Sequence, residues 1–201
     1  MHPDRKRWDE KYASKPPGSP PTAPPWLVEC LDLIESFLGG PARALDIACG
    51  DGRAALELAR RGWQVDAFDV STEGLRRARR FAERTGVRLN LFQADALRYP
   101  LPQARYQLVT VFNFLDRRHL PEEIHAALAT PGFLVYETYT LDAVRTPGFQ
   151  ISNTDYLLHP NELLHLYAGP FRVIRFRDQG LEGRPAQSLL AFKGDAGSNS
   201  G

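Results

Sequence analysis

Apolar and polar positions along this chain follow two periods in turn, and each change of period marks the border between a short strand and a helix. Leu45–Ala48 is a short run, apolar but for Asp46, as expected of a buried parallel strand. Gly50 and Gly52 follow at once, where a sharp turn or a close backbone approach needs a missing Cβ. Ala54, Ala55, Leu58 and Ala59 then recur at helical spacing, and Gly62 stands where a helix C′ residue belongs. Val65, Ala67 and Phe68 supply a second strand that ends at Asp69. Thr72–Thr85 reads as the next helix, with Thr72 as N-cap and Leu75, Ala78, Phe81 and Ala82 facing inward. Val87–Phe92, Tyr106–Phe112 and Phe133–Tyr139 read as the third, fourth and fifth strands, the last entered through a Pro131-Gly132 turn. Pro121–Ala129 and Pro160–Ala168 carry the spacing of short helices. Phe171–Arg177 and Gln187–Phe192 predict a closing hairpin at the sheet edge.

Strands alternating with helices predict a Rossmann-like, doubly wound α/β fold. Its sheet should be mostly parallel and seven-stranded, with an antiparallel last strand. The N-terminal region divides into a small amphipathic patch, Trp8–Tyr12, an extended Pro-rich connector from Pro16 to Pro25, and a helix over Trp26–Leu38. Residues 1–40 are accordingly expected to form a cap segment and first helix, 41–193 the main domain and 194–201 a polar, disordered tail. The connection from Thr140 to His159 is long for a domain of this size, and such loops tend to be functional.

Composition narrows the functional classes. The chain has 201 residues, enough for one sizeable core, and a formal net charge of +1, which gives no global electrostatic case for nucleic acid or an anionic membrane. No apolar run approaches the roughly 20 residues of a membrane span, and the N-terminus lacks a secretory stretch. With only Cys30 and Cys49 present, reduced thiols and a cytoplasmic location are expected. The five histidines never fall at i, i+4 and no Cys-His cluster occurs, so no metal site is expected. No G-x-S-x-G nucleophile elbow is present.

The glycine-rich turn after the first strand, closed by an acid at the end of the second, is the arrangement that binds the adenosine part of a cofactor. The G-x-G-x-x-G spacing of nicotinamide proteins is absent. Asp46, a carboxylate just ahead of the glycines, would repel a pyrophosphate placed on the helix N–H groups. It favours a cofactor with an ammonium and a sulfonium and no phosphate, which describes S-adenosylmethionine (SAM).

Asp46, Ala48, Gly50, Gly52 and Asp69 resemble the motif of the class I SAM-dependent methyltransferases. The resemblance implies that the D-x-A/G-x-G-x-G stretch holds the methionine end of SAM and that Asp69 binds the ribose hydroxyls, with Val70 beside it. Ala48 departs from the Gly common at its position. Asp95 and Ala96 match the acidic position expected near the adenine after strand three. The Trp8-Asp9-x-x-Tyr12 opening, together with Tyr136-Glu137-Thr138, Asn153-x-x-Tyr156 and Pro160-Asn161-Glu162-Leu163, is similar to a tellurite-resistance and thiopurine methyltransferase-like branch. In that branch the N-terminal segment lies over the cofactor, so Trp8 and Tyr12 would help to seal it in. Asn113 and Phe114, leaving strand four, are expected beside the reacting centre.

Methyl transfer is an in-line displacement for which the protein supplies mainly alignment. A general base is needed only for a weakly acidic acceptor, and Glu137, His159 and Tyr139 are the candidates, although Glu137 has the rival role of pairing with an arginine. The expected function is methylation of a small-molecule acceptor such as a thiol, a heterocycle or a metalloid oxyanion, by a monomer or homodimer. Two alternatives stand beside it. One is an RNA methyltransferase using the arginines of the Arg76–Arg84 face, and the other is a non-catalytic SAM-binding protein.

Overall fold

The structure is a computed structural model describing residues 3–16, 18–146, 149, 153–179 and 183–194. The expected tail at 194–201 falls, beyond Gly194, outside the described residues, as does part of the Thr140–His159 connection. The chain divides into two compact units, Met1–Pro100 and Leu101–Gly201. Among the described residues the sheet has seven strands; in the first unit they run in the order Asn90–Gln93, Gln64–Asp69, Arg43–Ile47, and in the second Tyr106–Phe112, Leu128–Tyr139, Ala186–Lys193, Arg172–Arg177.

In the first unit, α1 (Pro3–Ser14) is a helix where the sequence pattern gave only an amphipathic patch. Its composition explains the difference. No apolar stripe runs along it; it is held by same-face ion pairs, Arg5–Asp9, Lys6–Glu10 and Arg7–Asp4, and by docking contacts described below. The helix α2 (Pro25–Leu38) starts with Pro at its first position and ends on Gly39, whose φ of 77° is left-handed. It buries Trp26, Leu27, Cys30, Leu31 and Ile34 completely, each large side chain contributing roughly 1.5–3 kcal/mol. Strands β1 (Arg43–Ile47), β2 (Gln64–Asp69) and β3 (Asn90–Gln93) pair in parallel in the order β3-β2-β1. The helices α3 (Arg53–Arg60) and α4 (Thr72–Thr85) connect them.

Two details differ from the sequence reading. Ser71, not Thr72, caps α4, its hydroxyl accepting from the Gly74 N–H at 3.0 Å. Strand β3 starts at Asn90 rather than Val87, because Val87 and Leu89 are spent on packing against Leu56, Phe81 and Ala82.

In the second unit, β4 (Tyr106–Phe112) and β5 (Leu128–Tyr139) are parallel, joined through α5 (Leu120–Ala127). Strand β5 begins five residues ahead of its expected start, so Pro131-Gly132 lies within it. The proline has no N–H for the ladder, and the register jumps there from Tyr106↔Leu128 to Leu108↔Phe133. A 3-10 turn at Leu141–Arg145 and another at Thr154–Tyr156 follow, then α6 (Glu162–Tyr167). Strands β6 (Arg172–Arg177) and β7 (Ala186–Lys193) close the unit. β7 lies antiparallel between β5 and β6, so β6 runs parallel to β5 and only the last strand is reversed, as the sequence pattern predicts. Among the described residues no helix is long and apolar enough to cross a membrane.

Candidate functional site

The turn leaving β1 is an acidic cradle built from its own backbone outward. Asp46 is 2% exposed, and its carboxylate accepts from the Ala55 N–H in the first turn of α3 at 3.1 Å. Asp69, 7% exposed, accepts from the Gly50 N–H and the Ser71 N–H, each at 2.8 Å. The Gly52 N–H donates back to the Cys49 carbonyl. Three amides of this turn, those of Gly50, Gly52 and Ala55, are therefore already bonded to carboxylates and a carbonyl of the same chain. Burial pushes the Asp69 carboxyl upward, against the hydrogen bonds from Ser71 and Gly50 that favour its charged form. Burial, and then the neighbouring Asp46 and Asp69, also push the Cys49 thiol well up, which keeps it a neutral space-filler.

Backbone conformation explains the small residues here. Ala48 has a φ of 54° and Gly50 one of 55°, both left-handed. The departure from glycine at position 48 is thus conformational as well as a matter of size, since a Cβ is costly in that region. At Gly50 space is short too, because a Cβ would lie 2.0 Å from the Tyr12 hydroxyl.

That contact introduces α1, which docks on the same turn. Tyr12 lies between Gly50 and Gly74, where a Cβ at Gly74 would come within 3.1 Å of its ring. Burial, followed by the charges of Asp69 and Asp51, drives its phenol far up, so it remains a neutral hydroxyl. Trp8 stacks on Tyr12 at 6.0 Å, and the Lys11 ammonium stands 4.3 Å over the Trp8 ring. Lys15 pairs with Asp51 at 2.8 Å. Asp9 accepts from the Ser71 hydroxyl at 2.7 Å and the Glu73 N–H at 3.0 Å, so it helps to cap α4. Burial raises the Asp9 pKa, but the bonds from Glu73 and Ser71 and the Arg5 charge outweigh it, and the net shift is downward.

The arginine-rich face of α4 is largely committed within the chain. Arg77, 9% exposed, donates to the carbonyls of Lys15 and Pro16, Arg84 donates to the Gly18 carbonyl, and Arg76 pairs with Glu73. Arg79 and Arg80 are exposed.

Other expected cofactor residues are placed as follows. Val70 gives its carbonyl to the Gln93 amide at 3.0 Å, tying the end of β2 to β3. Asp95, half-buried, caps the next turn through the Leu97 N–H and pairs with Arg98; Ala96 beside it is half-buried. In the second unit, Asn113 follows β4 with a φ of 58°, a conformation asparagine tolerates, and donates its N–H to the Glu137 carbonyl at 2.9 Å. The Phe114 carbonyl accepts from the buried Tyr136 hydroxyl at 2.8 Å.

At the carboxyl end of β5 the chain assembles a second polar cluster. Glu137, 2% exposed, accepts from Arg184 at 3.0 Å on one oxygen and from the Ser188 hydroxyl at 2.9 Å on the other. Arg184 also donates to the Tyr139 hydroxyl at 3.0 Å and lies over the Tyr139 ring. Phe149 packs edge-on to that ring at 4.6 Å. His159 is exposed, its backbone carbonyl accepting from Gln187 and its N–H donating to Glu162. Arg117 clamps Glu162 and the carbonyls of Asp155 and Leu157, which fixes the approach to α6. Arg184, Ser188, Asp9, Lys15 and Asp51 escaped the sequence reading. Asp9 lies inside the Trp8-Asp9-x-x-Tyr12 opening and Asp51 inside the glycine-rich stretch, whereas Arg184, Ser188 and Lys15 lie outside any motif; tertiary contact gives all five their partners. Among the described residues no group of acids, histidines or cysteines could hold a metal.

A parallel β-α-β turn carrying the buried carboxylates of Asp46 and Asp69 is the arrangement expected of a site for an adenosyl cation. Comparisons with known proteins agree. Residues 44–132 match the model of a methyltransferase domain. Over 182 residues the chain is 32% identical to the demethylmenaquinone methyltransferase of Thermus thermophilus, covering 86% of this chain and 80% of that protein. It is 33% identical over 87 residues to the ribosomal RNA small subunit methyltransferase C of Alcanivorax borkumensis, covering 43% of this chain but only 26% of that one. In fold it is similar to the Burkholderia thailandensis 1,6-didemethyltoxoflavin-N1-methyltransferase, solved with bound 1,6-didemethyltoxoflavin and S-adenosylhomocysteine (TM-score 0.63, 21% identity, 85% of this chain and 79% of that one). The chain belongs to the class I SAM-dependent methyltransferases. It is a SAM-dependent enzyme, and SAM is its cofactor.

Proposed function

We propose that this enzyme methylates a small molecule and that the turn after β1 holds SAM through Asp46, Ala48, Gly50 and Gly52, with Asp69 and Val70 at the ribose and Asp95 and Ala96 near the adenine. The observation that carries this reading is the bonding of the Gly50 and Ala55 amides to Asp69 and Asp46. It takes up two amides that could otherwise face an anion and places buried carboxylates at the turn, which favour a sulfonium and an ammonium. When bound, SAM supplies an electrophilic methyl group and departs as a neutral thioether. Tyr12 and Trp8 close over the turn and exclude water, which strengthens every charge interaction beneath them. Asn113 and Phe114, leaving β4, are assigned to cofactor binding beside the reacting centre.

For chemistry, Glu137 is held on both oxygens, so we assign it to fixing Arg184 and keep His159 and Tyr139 as the groups able to exchange a proton with an acceptor. The acceptor candidates remain a thiol, a heterocycle or a metalloid oxyanion, in a tellurite-resistance and thiopurine methyltransferase-like setting. To these the Thermus relative, named for a quinone precursor, adds a quinol-type ring. Two buried free cysteines accord with a cytoplasmic setting. The commitment of Arg76, Arg77 and Arg84 inside the chain weighs against the RNA alternative. Calorimetry should give tight binding of SAM and none of NAD, and a panel of these acceptors with detection of S-adenosylhomocysteine should yield turnover. Tight SAM binding without turnover across the panel would favour a non-catalytic binding protein.

A further inference from the structure

In the cluster at the carboxyl end of β5, Arg184 has no part in the cofactor site or in the proton exchange assigned to His159 and Tyr139. Ligands of open α/β sheets lie outside the carboxyl ends of the strands. Tyr139 is the last residue of β5, paired with Ala186, and the Thr140 N–H binds the Pro185 carbonyl, so the antiparallel β7 delivers Arg184 to this end. The order of burial within the cluster is informative. Glu137 is 2% exposed at the side chain, whereas Arg184 keeps 24%. The carboxylate is the anchor, fixed by Ser188 from the other side, and the guanidinium is the part that meets the surface. Two of its N–H groups are taken by Glu137 and Tyr139, and a guanidinium has five. The Tyr139 hydroxyl accepts from Arg184 and so has its own proton to donate. Its ring, with Phe149 edge-on, adds a flat apolar wall.

We propose that Arg184, set by Glu137 and backed by the Tyr139 hydroxyl, recognises an anionic oxygen on a planar methyl acceptor. The acceptor class is then a ring compound bearing a carboxylate or a comparably acidic oxygen, and Arg184 is its specificity-determining residue. This rests on the methyltransferase reading above, and it refines the acceptor rather than the cofactor. Glu137 is a positioning residue, because it acts through Arg184. A bidentate guanidinium contact with a carboxylate gives orientation as well as attraction, which a lysine point charge does not reproduce.

The test uses the full chain loaded with S-adenosylhomocysteine and the matched probes 3,4-dihydroxybenzoate and 3,4-dihydroxybenzamide, with binding read by calorimetry. The intact protein should prefer the acid by about tenfold or more. Arg184→Gln should abolish the preference, Arg184→Lys should restore part of it, and Tyr139→Phe should reduce it by about threefold to tenfold. Glu137→Gln should weaken acid binding while leaving amide binding alone. Cofactor affinity is measured on every variant and should not change, which separates loss of recognition from loss of fold. Equal binding of acid and amide by the intact protein, or an undiminished preference in Arg184→Gln, overturns the proposal. Failure of the intact protein to bind S-adenosylhomocysteine would refute the cofactor site instead.

Discussion

Replacing Asp69 by alanine tests the cofactor turn at its most connected point. The carboxylate accepts from two buried amides, Gly50 and Ser71, both at 2.8 Å. A hydrogen bond to a charged group contributes about 1.5–3 kcal/mol, so losing both sets an upper bound of about 3–6 kcal/mol on the cost to the free protein. Burial disfavours the Asp69 charge, as its raised pKa shows, and that penalty vanishes with the side chain. The net destabilisation should therefore fall below that bound, at about 2–3 kcal/mol. Cofactor binding loses more than geometry. With one ribose-hydroxyl contact and one attractive charge gone, SAM affinity should fall by about 1.5–3 kcal/mol, or roughly tenfold to 150-fold. Denaturant unfolding of the free protein and calorimetry with SAM read the two effects separately. An unchanged unfolding midpoint would refute the structural role of Asp69, and an unchanged SAM affinity would refute its role as a ligand.

Ala48→Gly should stabilise the protein by ~0.5–1 kcal/mol, since relief of about 1–2 kcal/mol from the left-handed Cβ exceeds the ~0.5–1 kcal/mol entropy cost of glycine; a lowered melting temperature would count against strain at that turn. Because Asp69 holds its proton to a higher pH when folded than the usual 3.8, its charged form lowers stability as pH rises through the folded value. A bound cation favours that charged form, so the melting-temperature gain from saturating SAM should grow from about pH 4 to about pH 8, and a pH-independent gain would sink the argument. Asp9 behaves in the opposite sense: its lowered pKa contributes stability above 3.8 that is lost as pH falls through the folded value, so protease cleavage within α1 should increase on acidification. Deleting residues 1–15 should speed SAM release in stopped-flow measurements, and an equal off-rate would leave α1 a purely structural helix. Glu137→Gln should cost about 1–2 kcal/mol of stability by removing the charge opposite the partly exposed Arg184; wild-type stability would mean that the pair is inert.

Much of this architecture could be read from local pattern. The runs at Leu45–Ala48 and Tyr106–Phe112 are buried strands whose identity needs only their neighbours in sequence, and Gly50, Gly52 and Asp69 announce the turn after the first strand and the acidic end of the second. Helix α1 was not legible, because its stability comes from ion pairs and from Asp9 and Tyr12 meeting residues some sixty and forty positions away. The start of β5 was hidden by Pro131, a residue that reads as a turn and here sits inside a shifted register. Glu137 was visible as a carboxylate at a strand end. Its partner was not, since Arg184 lies in a segment without periodicity and reaches it only once β7 has paired with β5.

The capping of α4 by Asp9 fixes an order of events. A carboxylate from the ninth residue can satisfy the Glu73 amide only after β2 has been laid down and the helix beyond it has begun to wind. Helix α1 is thus a late addition to a scaffold that already exists, and in native-state hydrogen exchange its amides should open in small excursions while those deep in α4 wait for global unfolding. On the proposed reading of Trp8 and Tyr12 as the cover of the cofactor, its traffic requires the undocking of one short segment, with the rest of the fold left intact.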